Sequence, residues 1–147
     1  MAQPKKWGLV VTRAAAIAVL LLLLPTAALA DSIALNIASH HYIAGDYNGR
    51  NLGVGYEHDL GSGWVTTAGV YKNSFDVMTV YAGGAWRYQV LPGIRVGAAA
   101  IAMTGYGDHI PVPFMAAPLL EIGPHALRVR AMVVPGQVAT LQAVIGF

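Results

Sequence analysis

The chain has no cysteine, so neither disulfides nor thiolate metal sites contribute to it. Charged residues are scarce, at 11% of 147, and neither sign dominates. With six Lys and Arg against seven Asp and Glu beyond residue 30, no basic surface for a nucleic acid is expected. Beyond that point no apolar run is long enough for a spanning helix either.

The apolar run that does exist, Ala14 to Leu24, belongs to the start of the chain. It follows Lys5, Lys6 and Arg13 and is followed by Pro25 and the small-residue ending Ala28-Leu29-Ala30, the pattern of a cleaved secretory signal. Eleven residues fall short of the roughly 20 that a retained membrane helix needs. The expected organisation is therefore a signal peptide over 1–30 and one domain over 31–147.

In that domain the sequence alternates every second residue, in segments separated by Gly, Pro, Asp and Asn. Eight segments are predicted, near 32–42, 51–59, 64–71, 79–88, 94–104, 113–122, 126–134 and 138–147. Each has one apolar face and one small or polar face. Ile33, Leu35 and Ile37 oppose Ala34, Asn36 and Ala38; Val80, Ala82, Gly84 and Trp86 oppose Thr79, Tyr81, Gly83, Ala85 and Arg87; Leu141, Ala143, Ile145 and Phe147 oppose Thr140, Gln142 and Gly146. In a soluble sandwich or lipocalin-like barrel the apolar face would turn inward. Here the charged face also carries most of the Gly and Ala, which suits a narrow lumen. The predicted fold is all-β, an eight-stranded antiparallel transmembrane β-barrel of the bacterial outer membrane, with lipid on the apolar side.

The inward face changes character along the barrel. Glu57, Arg87, Arg95, Glu121, Arg128 and Arg130 gather near the short turns at 59–63, 89–93 and 123–125, and predict a salt-bridged floor, since a buried charge must be paired. Toward the other set of loops, at 45–50, 72–78, 105–112 and 135–137, which should face the cell exterior, the inward residues are Ala99, Ile101, Met103, Met115, Ala117 and Leu119. A greasy upper lumen over a charged floor suits an inserted hydrocarbon chain better than a solute channel, though the same side chains would also simply fill the lumen.

The order HHY…YNGRNLGVGYEHDLGSGW, then YKNSF, YAGGAWRY, HIPVPFMAAPLLEIGPHALRVRAMVVPG and a terminal Phe resembles the lipid A palmitoyltransferase family of the outer membrane. The resemblance implies an eight-stranded barrel that moves an acyl chain from a phospholipid to lipid A or a related glycolipid. Its partners would be phospholipid and lipopolysaccharide of the outer leaflet; it would be a monomer and would need no cofactor or metal. Prolines, which lack the N–H of a sheet ladder, would weaken strand pairing to admit lipid laterally: Pro111, Pro113 and Pro118 on one strand, Pro135 on its neighbour. The family's catalytic His maps to His40 or His41, with His40 sharing the inward parity of Ala38, and its Ser to Ser74. The position of its Asp is Asn73, an uncharged substitute; Asp76, Asp46 and Asp108 are nearby carboxylates. Asn73→Asp would then raise activity. The acyl pocket would be lined by Ala85, Ala99, Ile101, Met103 and Met115, with Ala85 at its floor favouring a chain shorter than palmitate. The alternative is a non-catalytic small barrel, either a degenerate lipid-binding relative or a structural or adhesive surface protein.

Overall fold

The computed structural model describes residues 31–107 and 114–147. The expected signal peptide at 1–30 and two of the proline positions, Pro111 and Pro113, lie outside the described residues, as does Asp108. Eight strands close into one barrel in sequence order: β1 (Ser32–His41), β2 (Gly53–Gly61), β3 (Trp64–Lys72), β4 (Met78–Leu91), β5 (Ile94–Met103), β6 (Phe114–Ile122), β7 (Arg128–Val134) and β8 (Val138–Gly146). Every pairing is antiparallel, and β8 returns to β1. Closure leaves no free edge, which matters where no water is present to satisfy backbone groups.

The two faces sort as the alternation requires. Ile33, Leu35, Ile37, Val54, Trp86, Val96, Leu120, Ile122, Val129, Leu141, Ile145 and Phe147 are large apolar side chains exposed on the outside. Buried inside are Ala34, Tyr81, Ala85, Ala99, Ile101, Ala117, Leu119 and Met132, together with Glu57, Glu121, Arg128 and Arg130. An apolar outer belt around a partly charged lumen is unstable in water and stable in a bilayer, so the barrel crosses its membrane with strands.

Besides register shifts beside the short turns, at Asp59/Gly61 and Gln89/Leu91, regular pairing is broken at three places on the side of the barrel away from the charged residues. The β1–β8 register runs in step from Ser32↔Gly146 to Asn36↔Gln142 and resumes at Ala38↔Leu141, so Ile37 is an extra residue in β1, a β-bulge. The β1–β2 pairing stops at Asn36↔Gly53, although β1 continues to His41. The β6–β7 pairing covers only Ile122↔Val129 to Leu119↔Met132 and ends where Pro118 begins, leaving Phe114–Pro118 paired to β5 alone. A proline has no N–H to continue that ladder.

The floor is a dense ion-pair layer. The Arg130 guanidinium donates to both carboxylate oxygens of Glu57, to Glu121 and, at 3.1 Å, to the side-chain carbonyl of Gln142. Glu121 also lies 3.3 Å from Arg87, 3.4 Å from Arg128 and 3.7 Å from Arg95. Arg87 reaches Asp59 at 3.4 Å. The six residues picked out by alternation and charge thus form one interlocked group.

Candidate functional site

Above the floor the lumen opens into a cavity of about 100 Å³. Its mouth is polar, with Ser39, His41, Asn51, Ser74 and Tyr106, and its walls are Tyr71, Ile101, Met103, Met115, Met132 and Val138. Of the five residues expected to line an acyl pocket, Ile101, Met103 and Met115 line this cavity. Ala85 and Ala99 do not touch the cavity: they pair across β4 and β5 within the buried core. Tyr81, four residues nearer the mouth on the same face of β4, lines the cavity in place of Ala85. A methyl at position 85 is therefore not the wall that a guest meets first.

At the mouth, the ring Nε2 of His41 lies 2.7 Å from Ser74 Oγ. It is His41 that meets the serine. His40 is exposed and stands edge-on to Tyr42, with ring centroids 5.3 Å apart. The bulge at Ile37 is the cause. Continuing the alternation from Ala34, Asn36 and Ala38 puts His40 inside, but the inserted residue reverses the parity, and Ser39↔Thr140 and His41↔Val138 then face the lumen. The His41 ring is held by stacking on Tyr47, centroid to centroid 4.2 Å, and Tyr47 in turn meets Phe75 edge-on.

Ser74 is presented by a tight β3–β4 loop that Asn73 organises. Asn73 is fully buried; its side-chain oxygen accepts the N–H groups of Phe75 at 2.9 Å and Val77 at 3.1 Å. Its amide donates to Thr79 Oγ1 at 3.0 Å and to the Gly105 carbonyl at 2.9 Å. All of its hydrogen-bonding capacity is thus spent on shaping the loop, a use common for Asn in turns, and none is directed to His41. This geometry reverses the expectation for Asn73→Asp. A carboxylate has no N–H to give to Thr79 or Gly105 and would face the Gly105 carbonyl with a like partial charge. The variant should lose about 1–3 kcal/mol, seen as a lower urea midpoint, and should show no gain of activity.

The other carboxylates near the loops are engaged elsewhere or remote. Asp76 is exposed, 2.7 Å from Lys72 and 2.8 Å from Asn48, and the Lys72 and Asn48 hydrogen bonds hold its carboxyl below the usual carboxylate range. Asp46 is exposed on the β1–β2 loop. Among the described residues, the side-chain partners of His41 are Ser74 and Ser39, the latter at 3.4 Å.

Two polar residues absent from the expected site complete the mouth. Ser39 donates to Asn51 Oδ1, and the Asn51 amide points at Ser74 Oγ at 3.3 Å while also donating to the Lys72 carbonyl at 3.1 Å. Ser39 follows from the bulge; Asn51 lies just before β2, where β1–β2 pairing has already ended, and shares the inward parity of Gly53, Gly55 and Glu57. Pro118 sits at the end of the β6–β7 ladder, whereas Pro135 occupies the β7–β8 turn. There Gln137 N–H donates to Val134 O at 3.0 Å and Gly136 has φ of 70°. Proline followed by a positive-φ glycine is ordinary turn chemistry, so Pro135 acts at a turn and Pro118 at a ladder.

The arrangement joins a hydroxyl, an imidazole within hydrogen-bond reach of it, an amide donor on the same oxygen, and an apolar cavity below. An imidazole lone pair can take a hydroxyl proton as that oxygen attacks a carbonyl. The Asn51 amide gives the same oxygen an N–H to accept, which orients the Ser74 hydroxyl toward the imidazole.

No protein-family model matches the chain, and no curated protein matches it. Among solved structures it is similar to the backbone structure of the Yersinia pestis outer membrane protein Ail in a phospholipid bilayer nanodisc. The identity is 10% and the TM-score 0.44, over 81% of this chain and 99% of that one.

Proposed function

We propose that this chain is an outer-membrane barrel that takes an acyl chain of a membrane lipid into its upper lumen and transfers it to a hydroxyl of a glycolipid such as lipid A. The observation that carries the reading is the 2.7 Å contact of His41 Nε2 with Ser74 Oγ at the mouth of an apolar cavity. The end of the β6–β7 ladder at Pro118 supports a lateral way in, because lipid tails must enter from the bilayer and not from water. In the reaction, His41 accepts the proton of Ser74 as Oγ attacks the donor ester. The proton passes to the leaving lysophospholipid oxygen; the acceptor hydroxyl then attacks the acyl-serine ester, giving its proton through His41 to the departing Ser74 Oγ.

A second reading, a barrel that holds lipid without transferring it, is favoured by one specific feature: no carboxylate pairs with His41 among the described residues. Without one, an imidazolium formed during attack has no partner charge. Mass spectrometry of lipids from cells with and without the protein separates the two. Transfer should add one acyl chain to the glycolipid and release lysophospholipid, and neither product should form with Ser74→Ala. A folded, membrane-inserted wild type that leaves both lipid classes unchanged would establish the lipid-holding reading.

A further inference from the structure

The cavity is not apolar throughout. Toward the charged floor it is lined by Asn36, Tyr81 and Gln142, and, level with its β1 partner Ser39, by Thr140. Two of these are already satisfied: Gln142 donates to Asn36 Oδ1 and accepts from Arg130. The other two are not. The hydroxyl of Tyr81 and Oγ1 of Thr140 are both buried and neither has a hydrogen-bond partner, although both residues face the cavity. Thr67 and Asn36 are polar neighbours of the Tyr81 hydroxyl, but neither meets it in hydrogen-bonding geometry. Tyr81 is only 4% exposed.

The residue opposite makes room for this hydroxyl. It lies over Gly55 on β2, where an added Cβ would collide with the oxygen. Glycine at 55 thus admits a phenol that spans from β4 to the β2 wall, and phenylalanine would have filled the apolar part of that space without the polar atom. A buried hydroxyl left without a partner is destabilising. Two of them along one cavity, beside walls of Ile101, Met103, Met115 and Met132, describe a space matched to an apolar guest that carries a hydrogen-bonding group along its length.

We infer that the cavity selects an acyl chain bearing a hydroxyl, or a group of like hydrogen-bonding capacity, along its length, recognised by Tyr81 and Thr140. This rests on the acyl-chain function proposed for the lumen and adds to it the chemical class of the chain. Selection by polar groups is sharper than selection by length, because the wrong guest strands the polar groups of the site as well as losing a contact.

The test uses the full barrel held in an amphipathic polymer without lipid, and a fluorescent polyene fatty acid as the displaceable probe. Competitors are saturated fatty acids of one length, unsubstituted or carrying a single hydroxyl at successive carbons. One hydroxyl position should bind about tenfold tighter than the unsubstituted chain, the change expected of a well-made net hydrogen bond. That advantage should shrink to under about twofold in Tyr81→Phe/Thr140→Val, which keeps the shape of both side chains while removing both hydroxyls. Equal binding of all competitors, or an advantage that survives in the double variant, overturns the inference and leaves the acyl-chain reading standing; water alone then serves the two hydroxyls. Failure of every chain, probe included, to bind overturns both.

Discussion

Arg130→Met should cost about 3–5 kcal/mol of stability, the largest loss expected of any single change in the lumen. Arg130 is 5% exposed in its side chain and is the two-pronged partner of Glu57, which is 2% exposed. Removing it does not strand both carboxylates equally. Glu121 keeps Arg87, Arg95 and Arg128, whereas Glu57 keeps only Arg87 at 3.6 Å. The cost is therefore mainly that of one carboxylate buried without its close partner. Urea unfolding in lipid vesicles should show a lower midpoint, and the heat-modifiable fast-migrating form should be lost at a lower temperature. Adding Glu57→Gln to Arg130→Met should recover about half of the loss, because a neutral amide can stay buried with far less penalty. If the double variant is no more stable than Arg130→Met, the loss reflects packing around the guanidinium and not the stranded charge.

The second large effect concerns the mouth. If transfer follows the proposed route, His41→Ala should lower it by about 10²–10⁴-fold, the usual worth of a positioned general base, and Ser74→Ala should leave no acyl-enzyme to form. His40→Ala should change the rate little, since its ring lies outside the lumen against Tyr42. Measured in vesicles with a labelled phospholipid donor, this pair of neighbouring histidines tests the bulge directly. A rate that falls with His40→Ala and survives His41→Ala would mean that β1 has the regular register in the membrane and that the contact between His41 and Ser74 is not the working one. His40→Ala should retain the wild-type unfolding free energy within about 0.5 kcal/mol, because its ring is exposed, whereas His41→Ala also gives up the stacking on Tyr47 and the contact with Ser74, so its unfolding is measured beside its rate.

Alternation alone carries far in a barrel because lipid and lumen impose opposite chemistry on successive residues. The eight strands, the apolar exterior of Ile33, Val54, Val96 and Ile145, and the six residues of the floor were all legible in this way. A buried charge has few places to go in a narrow barrel, so residue type and parity were enough to bring Glu57, Glu121, Arg87, Arg95, Arg128 and Arg130 together.

What alternation cannot register is a change of phase. Nothing in Asn36-Ile37-Ala38-Ser39-His40-His41 announces an inserted residue; the bulge exists because Asn36 pairs with Gln142 and Ser39 with Thr140 across β8, one residue out of step. That single shift exchanges His40 for His41 and brings Ser39 inside. Asn73 was open to a similar misreading: its place beside Ser74 in the chain suggests a shared task, but only the folded loop shows its amide turned to Thr79 and Gly105. The depth of the cavity was likewise decided in three dimensions. Tyr81 has inward parity in the sequence, yet that its hydroxyl reaches across to Gly55 and stays unpartnered depends on strands far apart in the chain. Which residues face lipid and which face the lumen is written in a period that each strand carries alone. Which lumen residues meet is settled only on folding, because register and reach are properties of paired strands.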